Sequence, residues 1–238
     1  MALPKLNTPL YELELPSTGE KIKYRPFLVK EQKNLMIAME SEEATQMKEC
    51  LASIISSCTF AKVDPYRLPM FDIEYLFLRF RGKSVGEKIT LNLTCPDDNE
   101  TTVETDINLE EVDVQLQADH TNIIPLTDTV KMIMRYPDLN DMGELDATED
   151  DNVEVESIFK IIKRCVHEIH DGDTIHNKVD ISDGELEEFI ENLTTDAFDK
   201  VQTFFDTMPK VRHVVKVKNP KTKKTGEVVI EGIQNFFA

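Results

Sequence analysis

Residues 87–109 read EKITLNLTCPDDNETTVETDINL, and residues 210–231 read KVRHVVKVKNPKTKKTGEVVIE. In the first stretch Ile89, Leu91, Leu93 and Cys95 alternate with polar residues, CPDDNE turns the chain, and Val103, Ile107 and Leu109 return. In the second Val211, His213, Val215 and Val217 alternate, NPKTKKTG turns, and Val228 and Ile230 return. A period of two marks half-buried strands, and a Pro- and polar-rich turn between two such runs marks a hairpin. The two hairpins are similar in size and separated by helical sequence. The C-terminal hairpin over 210–238 is therefore expected to pack with the β region over 86–137.

Working outward, Tyr11, Leu13 and Leu15 alternate, PSTG at 16–19 turns, and Ile22 and Tyr24 complete a smaller hairpin. Helix formers fill 30–40, with Leu35, Met36 and Met39 spaced for one buried stripe. Ser41 is placed to cap the next helix, whose stripe is Met47, Leu51, Ile54, Ile55 and Cys58. A third helix is expected from Asp72 through Phe80 to a stop at Gly82 or Gly86. Val112–Leu116 and Thr129–Tyr136 alternate as further strands. Nine acids and no Lys or Arg fill Asp138–Glu156, so an acidic, solvated loop is expected over 138–152. Val155, Ile158, Phe159, Ile162 and Val166 form a helical stripe, which HDGD at 170–173 is expected to stop. Ser182 and Glu185 read as a capping box, and Thr194 or Thr195 caps a last helix.

The fold class is α+β: antiparallel hairpins near 87–109 and 211–231, with helices from 30–82 and 153–208. The expected regions are an N-terminal hairpin with helices over 1–85, the β region over 86–137, the acidic loop over 138–152, a helical region over 153–209 and the C-terminal hairpin.

The chain has 238 residues and a net charge of −18. That length buries a substantial core. The charge opposes broad nucleic-acid binding and attraction to anionic membranes, and favours partners with basic faces. No run of about 20 apolar residues is present, so no membrane span is expected, and no signal peptide is visible at the N-terminus. Cys50 and Cys58 lie eight apart on one expected helix, about 12 Å distant, too far for a disulfide. A reducing, intracellular compartment follows as the expectation.

Metal-capable residues are densest in CVHEIHDGDTIH, which holds Cys165, His167, His170 and His176. Read as a helix end, this segment directs Cys165 and His167 to different faces, and its histidines suit the C-terminal dipole. Cys95-Pro96 at a hairpin tip opens like one knuckle of a zinc ribbon, but Asp98 stands where the second cysteine belongs. The matching tip begins Asn219-Pro220 and holds no cysteine. No metal, cofactor or enzymatic activity is expected, since GxSxG, P-loop, HExxH and GxGxxG patterns are missing. The rival reading is a metal-binding protein or enzyme built on Cys165 and its neighbouring histidines. Lys210, Arg212, Lys216, Lys218, Lys221, Lys223 and Lys224 form a basic strip in this acidic chain, a candidate docking face for an acidic protein. Phe236 and Phe237 either enter the core or meet a partner.

PSTGEKIKYRPFLVKEQKNLMIAMES, LFLRFRGKSVGEKITLNLTCP, FFDTMPKVRHVV and IEGIQNFF, in that order, resemble the T4-type phage baseplate protein family. Its members are the hub subunit and the hub assembly protein of contractile-tailed phages. The resemblance implies structural work in the host cytoplasm during baseplate assembly, with other baseplate hub proteins as partners. The protein would remain in the virion tail or leave as a transient assembly chaperone. It also implies cysteine-pair knuckles at both tips in some relatives, of which this sequence has Cys95 alone.

Overall fold

The computed structural model describes residues 7–41, 43–142, 155–232 and 236. The fold is α+β, with helices beside small antiparallel sheets. It divides into two compact units, one formed by Met1–Gln115 with Lys210–Ala238 and the other by Leu116–Pro209.

The first unit opens with β1 (Tyr11–Glu14) and β2 (Lys21–Tyr24), paired so that Leu13 faces Ile22. The turn between them is fastened to a helix, because the Ser17 N–H and hydroxyl both donate to Asp72. Asp72 is fully buried, and burial pushes its pKa up against the lowering effect of Ser17. Next come α1 (Val29–Ser41), α2 (Ala44–Cys58) and α3 (Met70–Ser84). In α2 the expected stripe is buried from Leu51 to Cys58.

In α1 the expected stripe holds only at Leu35. Glu31, Leu35 and Ala38 are buried, while Met36 and Met39 are exposed. The cause is an ion pair that apolar periodicity does not register. Arg25, itself buried, donates to Glu31 Oε1 at 2.8 Å, and the other oxygen of Glu31 accepts from the Leu28 N–H at 2.8 Å. Drawing Glu31 inward turns the 31/35/38 face to the core. Ser41 is likewise the last residue of α1 rather than a cap of α2, whose N-cap is Glu43.

The two decisive hairpins follow. Strands β3 (Lys88–Thr94) and β4 (Thr102–Asn108) pair from Lys88↔Asn108 to Thr94↔Thr102. The C-terminal strands β10 (Lys210–Lys218) and β11 (Thr225–Glu231) form a second sheet, which β5 (Asp113–Gln115) joins along β10. Val211, Val217 and Ile230 share one apolar cluster with Ile89, Leu91, Leu93 and Ile107. Arg79 on α3 locks the β4–β5 connection, donating to the Leu109 and Val112 carbonyls at 2.8 and 2.9 Å.

The second unit holds a four-stranded sheet in the order β6 (Ile123–Pro125), β7 (Val130–Met134), β8 (Val166–Asp171), β9 (Thr174–Asn177). Its helices are α4 (Val155–Cys165), α5 (Asp183–Glu191) and α6 (Thr195–Thr207). The capping box at Ser182 and Glu185 is present, and Thr194 caps α6. The helix expected to run to residue 170 ends instead at Cys165, and the chain passes directly into β8. Val166 pairs with Met134 and Glu168 with Ile133, so His167 is the extra residue of a bulge. That bulge places Val166 and Ile169, three apart, both in the core. A spacing of three reads as helical, which is why periodicity carried the helix too far. Gly172 is not a helix stop but opens the two-residue loop between β8 and β9, at φ 57°.

Glu31→Ala should leave Arg25 buried without its partner and destabilise the protein by about 3–5 kcal/mol, read as a lower urea midpoint. Burial raises the Glu31 pKa, but Arg25 and the Leu28 N–H outweigh it and hold the carboxyl below its usual value. A depressed folded pKa stabilises above the unfolded value, about 4.3, and the benefit is lost as pH falls below it. The wild-type midpoint should therefore drop in acid more steeply than that of the Glu31→Ala variant.

Candidate interaction surfaces

The tips of the two decisive hairpins meet through a hydrogen-bonded clasp. Asn219, fully buried, donates its amide to Asp97 Oδ1 at 2.9 Å and Asp98 Oδ2 at 2.8 Å, from 122 and 121 positions away. Its carbonyl oxygen accepts from the Lys221 and Thr222 N–H groups at 2.8 and 3.2 Å. The Thr222 hydroxyl donates to the second oxygen of Asp97. Asp98 is also held by the Thr101 hydroxyl at 2.6 Å and the Thr101 N–H at 3.0 Å. These donors keep both carboxyls below the usual range, Asp97 chiefly through Thr222 and Asp98 chiefly through Thr101. Behind them Pro96 lies so close to Gly226 that a Cβ there would sit 2.4 Å from Pro96 Cγ.

Cys95 is buried at the base of this clasp, and burial, then the charges of Asp97 and Asp98, push its thiol up. The ribbon-like shape read from the sequence is thus closed by amide, hydroxyl and carboxylate groups. The signal for it was in view: Asp98 at the position of a knuckle cysteine, and Asn219-Pro220 at the matching tip.

The segment holding Cys165, His167, His170 and His176 is a helix end followed by a hairpin. Its histidines lie on β8 and β9, so the helix-dipole reading fails. Cys165 is buried, and burial pushes its thiol to about 12. His170 contacts Glu168 at 2.7 Å, His167 is exposed on the bulge, and His176 pairs with Ile169 across the strands. Among the described residues no three His, Cys, Asp or Glu side chains are grouped as a metal ion would need.

The acidic run is not solvated at its start. Asp141 is fully buried and accepts from Arg135 at 2.7 and 3.2 Å, with Arg164 at 3.5 Å. Its continuation over 143–154 lies outside the described residues. Phe237 also lies outside them, whereas Phe236 is a core side chain of the first unit rather than an exposed anchor.

The basic strip divides in two. Along β10 two of its four cations face acids across the strands: Arg212 pairs with Glu231 at 2.9 Å, and Lys216 with Glu227 at 3.9 Å. Arg212 also stands opposite Asp113, and Lys210 opposite Gln115. Between the two ion pairs Val214 faces Val229, both exposed. Lys218 at the end of the ladder, opposite Thr225, and Lys221, Lys223 and Lys224 in the turn beyond it are exposed and form no ion pair among the described residues. The lysines without ion pairs therefore sit at and next to the tip, close to the Asp97 and Asp98 carboxylates that Asn219 and Thr222 hold there.

A family model described as T4 bacteriophage base plate protein matches residues 8–238. Comparison with curated proteins and with solved structures gives no match.

Gly226→Ala should force the two tips apart and lower stability by about 1–3 kcal/mol, measured by chemical denaturation. The depressed carboxyls of Asp97 and Asp98 stabilise above the usual carboxylate range and lose that benefit as pH falls through it. Asn219→Asp should reverse the trend by setting a third carboxylate against those two. The variant should be weakened at neutral pH and recover as pH is lowered toward about 4, with midpoints recorded across that interval.

Proposed function

The chain belongs to the T4 bacteriophage base plate protein family, and from that membership we propose that it works as a component of the baseplate hub. It acts by protein–protein association rather than catalysis, assembles in the host cytoplasm and stays in the contractile tail of the virion. The observation that carries this reading is the extent of the match, which takes in both compact units. Cys165, the cysteine of the rival reading, is buried, and burial pushes its thiol up, which disfavours the thiolate that a nucleophile or metal ligand needs. No helix among the described residues is long and apolar enough to cross a membrane.

The tip of the C-terminal hairpin is the docking face in this reading, and its partner is an acidic surface of another baseplate protein. Charge of opposite sign steers such an encounter, and the exposed Val214–Val229 pair, farther down the same hairpin, supplies apolar area. Nucleic acid is a poor fit, because three lysines in one turn and a fourth at the strand end stand against a chain of net charge −18.

Co-expression with the other baseplate proteins, followed by affinity capture of this chain, tests the proposal. A baseplate protein should co-purify with the wild type. Lys221→Glu, Lys223→Glu and Lys224→Glu together should reduce its recovery about tenfold or more, roughly 1.4 kcal/mol, with the chain still folded by circular dichroism at the capture temperature. Equal recovery would remove the tip from the interface. Purified phage particles lacking the chain by mass spectrometry would replace the resident component with a transient assembly chaperone.

A further inference from the structure

The outward face of α1 is the other unusual surface of the first unit, and it is independent of the basic tip. Val29 is 82% exposed, Met36 56% and Ile37 51%. With Lys33 and Glu40 they lie along one side of the helix, opposite the buried Glu31, Leu35 and Ala38. Lys33 and Glu40 are exposed, and neither has an ion-pair partner among the described residues.

The order of these two charges does not serve the helix itself. A helix favours acids near its N-terminus and cations near its C-terminus. On this face the cation comes first and the acid falls in the last turn. The order does suit a second copy of the same face laid antiparallel. Seven residues, about 10 Å of rise, separate Lys33 from Glu40. A two-fold axis between Met36 and Ile37 therefore brings Lys33 of each copy level with Glu40 of the other. The same axis sets Met36 against Ile37 in both directions and opposes the two helix dipoles. A two-fold contact needs a surface complementary to itself, and this face is.

We infer that α1 is a self-association surface through which two copies of this chain pair antiparallel, Met36 and Ile37 at the centre and Lys33–Glu40 pairs at either end. A face of one helix belongs with the small, transient interfaces, so pairing is concentration-dependent and is reinforced wherever assembly holds two copies close.

Sedimentation of the full chain, up to about 1 mM, reads the mass. It should rise from 27.3 kDa toward twice that value, and Lys33→Glu or Met36→Glu should return it to a single chain, with helix content unchanged by circular dichroism. The decisive variant carries Lys33→Glu and Glu40→Lys together. It should pair with itself, but labelled wild type should not sediment with it at the concentration where each pairs alone, since mixed pairs place like charges together. A single-chain mass at every concentration overturns the inference. So does association that Lys33→Glu leaves intact, a double variant that fails to self-associate, or one that mixes freely with wild type.

Discussion

The first unit depends on one amide. Its chain leaves at Gln115 and returns at Lys210, and these two residues stand side by side in the β5–β10 pairing. Closing so long a loop costs entropy before any contact rewards it, although the cost grows slowly with length. The returning hairpin recovers it in two ways. Val211, Val217 and Ile230 enter the cluster with Ile89, Leu91 and Leu93, and Asn219 ties the far ends of both hairpins together. Apolar packing alone tolerates sliding of one hairpin over the other. A buried amide donating to two carboxylates does not, because a small slip strands its donors. Pro96 against Gly226 adds a steric stop at the same place.

The same economy governs the charges. A chain of −18 cannot leave every carboxylate in water without self-repulsion, and it cannot bury one without a partner. Here the buried or half-buried acids are assigned work. Glu31 holds Arg25, Asp141 holds Arg135 and the Asp138 N–H, Asp72 receives Ser17, and Asp98 receives Thr101 and Asn219. Glu31 and Asp72 join a loop or turn to a helix, whereas Asp141 and Asp98 tie loops and turns together. The carboxylates therefore fix connections, while the aliphatic side chains fill the volume between sheets and helices.

Which parts were legible follows from this division. Period-two runs with polar turns identified the hairpins at 87–109 and 211–231, because one face of each is buried in a regular ladder. The capping box at Ser182 was legible because its chemistry is local. The α1 stripe was not, because the long-range partner of Glu31 decides which face turns inward, and an acid does not announce burial. The end of α4 was not, because a bulge at His167 gives strand residues a helical spacing. At the site, the basic residues were legible as a strip, but their compensation by Glu227 and Glu231 required the register of β10 against β11. The clasp was half legible: the tips were matched by pattern, and the groups joining them were visible only once the tips met.

That compensation bears on how such a surface chooses a partner. A continuous row of seven cations attracts any acidic surface in proportion to its charge, with little regard to shape. Neutralising the strand portion with Glu227 and Glu231 removes most of this indiscriminate attraction. What is left is a short turn whose backbone is fixed by Asn219 and whose lysines project from known positions. In the proposed reading rigid placement reduces the ordering cost of association, and the apolar Val214–Val229 pair on the same hairpin rewards only a partner that fits closely. The net charge of −18 deters approach by like chains, so in the proposed reading the few places where it is locally reversed or covered by apolar side chains direct association.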